Sequence, residues 1–350
     1  HSHLSLDRRG HPIYELMIRV ESMSEPIGAL LGVVAETMGM SGDGLRLLLG
    51  SIGMLLLALS FHRHGQKGSV QAAAAGWILL GLFVYLRSEY YVKIDDPLLI
   101  LMTAMALPGG ILLAMMEIRD ARNEVSDESL VWFRGMVAWA MIPYHLVYSI
   151  PFLNIAVVML TASSAEWMLE FAGMGQYTLG EVMVELHDGG EVTLSAWGGN
   201  MWILTEPLGE GGFFVPMYHA DGSPVHIAFI LSCSGLQSMI IFVGAIAALR
   251  TVPLNRRLRG LFIAVPTIHV LNTFRNAGIV WLSHSYSDWI FMGLNMFDFA
   301  HSYAAKVASL FAMFLMAIAL FDLLPELHRH IMRFIPMSLW PKKQESVSET

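Results

Sequence analysis

The stretch Ala300-His-Ser-Tyr-Ala-Ala-Lys306-Val-Ala-Ser-Leu-Phe-Ala-Met-Phe-Leu-Met-Ala-Ile-Ala-Leu-Phe-Asp322-Leu-Leu324 decides the fold class, because nothing between Lys306 and Asp322 is charged. A helix needs about 20 mostly apolar residues to cross the hydrocarbon layer of a bilayer, and this run supplies them. Leu45–Phe61, Gln71–Tyr90, Pro97–Met116, Val131–Leu160, His226–Leu249 and Leu258–Leu282 read the same way. Pro26–Met40 is shorter and reads as a short span or an interfacial segment. The run from Val131 to Gly173 is long enough for two crossings, but Pro143 and Pro151 interrupt it. It is read as one broken span followed by a surface helix.

Composition agrees. Of 350 residues, 55% are hydrophobic and 14% charged, with a mean hydropathy of +0.55, against about a quarter charged in soluble domains. The expected fold is an all-α polytopic membrane protein, a bundle of about 7–8 transmembrane helices with a small extracytoplasmic β-rich insertion. A net charge of −8 argues against a nucleic-acid partner. One cysteine excludes an internal disulfide and a cysteine-rich zinc site. No metal or cofactor is expected, and no cleavable signal peptide is read.

Loop charges give sidedness. Arg250, Arg256, Arg257 and Arg259 crowd one loop; Arg63 and Lys67 lie in another, and Arg119, Arg122 and Arg134 in a third. The tail carries Arg329, Arg333, Lys342 and Lys343. Residues 161–225 and 283–299 contain no lysine or arginine. These two segments are expected outside and the tail in the cytoplasm; Arg87 and Lys93 are exceptions. The organisation predicted is an N-terminal segment 1–25, membrane helices 26–165, an extracytoplasmic β-rich cap 166–225, catalytic membrane helices 226–325 and a cytoplasmic tail 326–350, disordered from Lys342. The cap follows from alternation in Glu181-Val-Met-Val-Glu-Leu, the turn Asp188-Gly-Gly, and a second strand-then-turn over Gly211-Gly-Phe-Phe-Val-Pro-Met-Tyr and Asp221-Gly. Open strand edges cannot face lipid.

Polar residues inside apolar runs mark function. Cys233 lies about seven residues into the His226 span and Arg275 about eight from the outer end of the Leu258 span, roughly 10–12 Å deep at 1.5 Å per residue. His301 opens the Ala300 span. A thiol, a guanidinium and an imidazole thus converge on one outer layer. A lone cysteine is more often packing than nucleophile, yet Ser232-Cys233-Ser234-Gly235-Leu-Gln237-Ser238 is small and polar for a span interior. Asn272 and Asn276 flank Arg275, which sets a buried arginine among polar neighbours. A nearby guanidinium favours the thiolate a nucleophile needs, and His301 would serve as base and acid. His219, His226 and His284 near the outer insertion lack any recognised metal-ligand spacing. His269 and Lys306 read as packing or helix-bridging residues, and Asp322 and Glu326 as the inner helix end.

On the residues Cys233-Ser-Gly-Leu-Gln-Ser238, Leu271-Asn-Thr-Phe-Arg275-Asn276 and His301, the chain resembles the exosortase/archaeosortase family of membrane cysteine transpeptidases, closer to its archaeal branch. The signal covers residues 190–326. The resemblance implies that Cys233 attacks a peptide carbonyl, Arg275 stabilises the thiolate or oxyanion and His301 shuttles protons, a position that is histidine or arginine in this family. Ser234, Gln237, Asn272 and Asn276 would support substrate or site. It further implies secreted substrates ending in a short motif, a transmembrane helix and a basic cluster, with the new C-terminus passed to an acceptor such as a membrane lipid. Two rival classes stand beside it: a transporter or channel with Arg275 and His301 lining a polar path, and an assembly subunit in which Cys233 is inert packing. Against the transporter, no internal repeat or matched pair of broken helices is found.

Overall fold

The computed structural model describes residues 28–39, 41–93, 97–124, 127–291 and 293–334; the segment 1–25 and the tail from Lys342 lie outside them. Among the described residues six helices are long and apolar enough to cross a membrane, beside shorter apolar helices. The protein is a polytopic membrane protein with a small sheet. The described residues fall into two compact units that divide between Ala138 and Trp139.

The first unit holds α1 (Gly28–Thr37), α2 (Gly42–His62), α3 (Ser69–Tyr85), α4 (Ser88–Lys93), α5 (Pro97–Ala104), α6 (Ala106–Arg122) and the start of α7 (Glu128–Ser149). Lipid offers apolar side chains no reason to associate, so close backbone contact through small residues takes over. At Gly110 of α6 a Cβ would lie 2.5 Å from the Trp77 carbonyl oxygen of α3, so only glycine allows this approach. Arg134, expected in a basic loop, is instead 1% exposed on α7. It pairs with Glu117 of α6 at 3.0 Å, donates to the Ser60 carbonyl of α2 at 3.1 Å and meets His64 Nδ1 at 2.9 Å. An arginine just past a helix start looks like loop charge in a sequence; the partner that buries it is 17 residues away.

The second unit begins with the end of α7 and continues into α8 (Pro151–Phe171). Pro143 stays inside α7, whereas Ile150, extended at ψ 102°, separates the two helices, with Pro151 at the first position of α8. Proline lacks the N–H that a first turn leaves unpaired anyway, so it starts a helix well. Next comes an antiparallel sheet of β1 (Tyr177–Leu179), β2 (Met183–Leu186), β3 (Glu191–Thr193), β4 (Leu208–His219) and β5 (Pro224–Ile230). The order is β1-β4-β2-β3, with β5 on the other edge of β4. Phe213, Val215 and Met217 alternate inward along β4 and rest on one face of α8, Ile155 at one end and Ala162, Ala165 and Leu169 beyond it. The sheet therefore covers α8 along most of its length, while Leu160, Trp167 and Phe171 project from α8 exposed. A sheet with open edges stays out of hydrocarbon, and α8, which carries it on one face, is itself one of the six helices long and apolar enough to cross a membrane.

The expected helix over His226–Leu249 is replaced in its first part by β5. Val225, Ile227 and Phe229 pack inward, and Phe214↔Ile230, Val215↔Phe229 and Pro216↔Ala228 pair with β4. Strand and helix segments that are both apolar look alike in a short run. The chain then makes a 3-10 turn (Leu231–Ser234) and a short α9 (Leu236–Ala247). Cys233 thus stands before a helix, not seven residues inside one.

The 32-residue α10 (Leu254–Ser285) follows, then β6 (Ile290–Phe291) and β7 (Leu294–Asn295), α11 (Met296–Phe299), a π-helical turn (Ala300–Ala304), α12 (Ala305–Leu323) and α13 (Pro325–Phe334). Val307, Leu310, Phe311, Phe314 and Ile318 form an exposed stripe on α12, as a lipid-facing surface requires. Ala300 and Ala305 pack on Ile279 and Leu282 of α10. Near the other end, Arg256 donates to the Leu323 carbonyl at 2.9 Å and pairs with Glu326 at 3.3 Å.

Candidate active site

Cys233 sits where strand becomes helix. Gly235 closes the 3-10 turn at φ 70° and caps α9. A side chain there would meet both the left-handed backbone penalty and Asn272, whose Cγ would be 2.9 Å from the new Cβ. The Ser234 hydroxyl donates to the Leu231 carbonyl at 2.6 Å and accepts from the Leu236 N–H at 3.1 Å, so one side chain fastens both ends of the turn. Cys233 is a free, half-buried thiol. It packs against the apolar cluster that joins the sheet, α8 and α10. The positive end of the α9 dipole faces the turn.

From α10, Asn272 and Asn276 each donate an Nδ2–H to the Cys233 carbonyl, at 2.8 and 2.9 Å. Four residues apart, they share a helix face, and together they occupy both lone pairs of one oxygen. Arg275 donates from Nη1 to Asn276 Oδ1 at 3.2 Å. Its guanidinium is therefore tied through one carboxamide to the cysteine turn. Arg275 also lines a mostly apolar groove of about 280 Å³ with Gly235, Ser238, Leu271, Asn272 and Met313. Ser238 leans on Met313 Sδ at 3.4 Å, and Gln237 is exposed, donating to the Tyr144 hydroxyl at 3.4 Å.

His301 lies half-buried in the π-helical turn, stacked on Phe297 at 5.4 Å and 6°. Such turns often sit at functional positions, since the widened turn re-aims a side chain. The charges of Arg275, Lys306 and Asp298 reach its imidazole. The structure thus joins Cys233, Asn272, Asn276 and Arg275 by hydrogen bonds and brings His301 within electrostatic range of Arg275. Among the described residues no hydrogen bond connects His301 to Cys233.

The other polar residues fall elsewhere. His269 meets Ser164 Oγ at 3.2 Å, bridging α8 and α10. His219 and His284 rings lie 4.8 Å apart beside Tyr177, whose phenol burial pushes above its ordinary range. His226 adopts φ 59° on β5. No group of three or more His, Cys, Asp or Glu side chains is arranged to hold a metal among the described residues. Tyr144, which receives Gln237, was not singled out from the sequence; a tyrosine in an apolar helix carries no signal until its neighbour is known.

A family description, Transmembrane exosortase (Exosortase_EpsH), matches residues 44–321. Archaeosortase A of Haloferax volcanii is 42% identical over 73 residues, 21% of this chain and 24% of that protein. The chain thus matches about a quarter of the length of that curated relative. No solved structure matches. With the match running from α2 to the end of α12, the chain belongs to the transmembrane exosortase family.

Proposed function

We propose that the protein is a membrane-embedded cysteine transpeptidase that cleaves the C-terminal sorting signal of secreted proteins and transfers the new C-terminus to an acceptor. The observation that carries this reading is the double hydrogen bond from Asn272 and Asn276 to the Cys233 carbonyl, with Arg275 bound to Asn276. Packing alone does not call for two carboxamides, one of them buried, and an arginine on one cysteine turn. The Cys233 thiolate attacks the scissile carbonyl, and Arg275 stabilises the charge that moves onto its oxygen. The C–N bond breaks, the departing amine takes a proton from the His301 imidazolium, and a thioester remains on Cys233. An acceptor hydroxyl or amine then gives its proton to His301 and attacks the thioester, and the thiolate leaves unchanged. A membrane lipid is the acceptor we favour. Substrates of this kind end in a motif, a membrane helix and a basic cluster, and the thiol faces the extracytoplasmic side of the cell membrane.

The test is Cys233→Ala in cells. Unprocessed precursors that retain their C-terminal helix accumulate, while the variant reaches the membrane at normal levels. Unchanged processing by Cys233→Ala ends the nucleophile assignment.

A further inference from the structure

A second cavity adjoins the cysteine turn at Leu231 and Ser232. It measures about 200 Å³ and is lined by residues 208–213 of β4, by Ile230, Leu231 and Ser232 just before Cys233, and by Tyr144, Tyr148 and Asn154. Three observations say what it takes. The first is Asn154, 7% exposed, whose Oδ1 is buried without a hydrogen-bond partner. A buried acceptor left unsatisfied costs about 1–3 kcal/mol, so a donor brought to this atom from the cavity that Asn154 lines would be favoured.

The second is the edge of β4. Its pairing with β5 ends at Phe214↔Ile230 because the chain leaves the sheet at Leu231. Beyond that point β4 runs on from Phe213 to Leu208 along the cavity wall. This stretch, Leu208-Gly-Glu-Gly-Gly-Phe213, is bare of bulky side chains at Gly209 and Gly211, where Glu185 lies across it and accepts from the Gly211 N–H at 2.7 Å. The two glycines make room for that carboxylate, since a Cβ at either would lie 2.5 Å from it; the open feature is the β4 edge that β5 leaves unpaired. The third is charge: the lining holds Glu210 and no lysine or arginine, which disfavours an anionic headgroup.

We propose that this cavity binds the segment of the substrate just N-terminal to the scissile bond, as an extended peptide continuing the line of β5 beside β4. A peptide N–H donates to Asn154 Oδ1, and the Tyr144 and Tyr148 hydroxyls meet its carbonyls or side chains. Strand addition of this type draws affinity from main-chain bonds. Its end would reach Ser232 and Cys233, where the carbonyl is attacked. This inference rests on the transpeptidase reading and adds where recognition occurs.

The experiment uses the precursors that accumulate in cells carrying full-length Cys233→Ala. Pulse-chase of those precursors with Asn154→Leu, which removes the acceptor at near-constant volume, should slow processing at least tenfold with membrane abundance and melting temperature retained. Asn154→Asp, which keeps an acceptor oxygen, should be slowed less. In the Cys233→Ala background, Tyr148→p-benzoylphenylalanine should photocrosslink to precursor residues on the N-terminal side of the cleavage point. Wild-type processing by Asn154→Leu, or crosslinks confined to lipid or to the C-terminal helix, overturns the cavity assignment. If Cys233→Ala accumulates no precursor at all, the transpeptidase reading itself falls.

Discussion

At the scale of single residues, the cysteine turn depends on a position that bears no reactive group. Gly235 combines φ 70° with a neighbour 2.9 Å from any added Cβ. Gly235→Ala meets about 1–2 kcal/mol of left-handed backbone cost and must also displace Asn272. It is expected to lower precursor processing at least tenfold while the protein still accumulates in the membrane, measured by immunoblot of precursor and enzyme together. Wild-type processing would mean that the turn tolerates rearrangement. The sequence made Cys233, Arg275 and His301 visible because polar groups inside apolar runs stand out. It did not make the role of Asn272 and Asn276 visible. Their bonds go to a backbone carbonyl about 40 residues earlier, and a carbonyl has no letter in the sequence.

At the scale of elements, β5 and α9 meet in a strand–turn–helix unit held by α10. Replacing Asn276 with leucine removes one donor from the Cys233 carbonyl and the acceptor of Arg275 at once. It should cost about 1–3 kcal/mol of stability. Processing should fall further than Asn272→Leu produces, since Asn272→Leu leaves Arg275 bound. Melting temperatures and processing rates of the two variants decide this; equal processing losses would separate Arg275 from the turn. Periodicity predicted the β-rich insertion from alternation and glycine turns, and β2 through β4 follow it. It failed at His226–Ile230, where an inward alternating strand runs into an apolar helix without a break in hydrophobicity. Two helices lie where a broken span and a surface helix were expected. Their separation at Ile150 is local, but the sheet that covers α8 arrives from residues 177–230, beyond any window.

At the scale of the whole molecule, residues 1–138 carry a buried ion pair between Arg134 and Glu117, 1% and 7% exposed. Removing one partner of such a pair leaves an uncompensated buried charge, about 3–5 kcal/mol. Arg134→Met is therefore expected to lower the melting temperature in detergent sharply, and the double variant Arg134→Met, Glu117→Leu to recover most of the loss. A double variant no better than Arg134→Met would assign the stability to the Ser60 and His64 contacts instead. Hydrophobicity alone announced a membrane bundle, because lipid imposes its length requirement on every span. Which spans pair, and through which buried charges, is set by contacts that composition does not record.

The change from β5 to α9 takes place within Leu231–Gly235. In the proposed reaction, with the sheet edge in water and the apolar helix in hydrocarbon, this turn would work as a depth gauge. A substrate anchored by its own membrane helix cannot rise or sink freely; its tether fixes how high each carbonyl rides. In the proposed reaction, the enzyme then selects a bond by altitude as well as by motif, with the thiol waiting at one level of the bilayer surface.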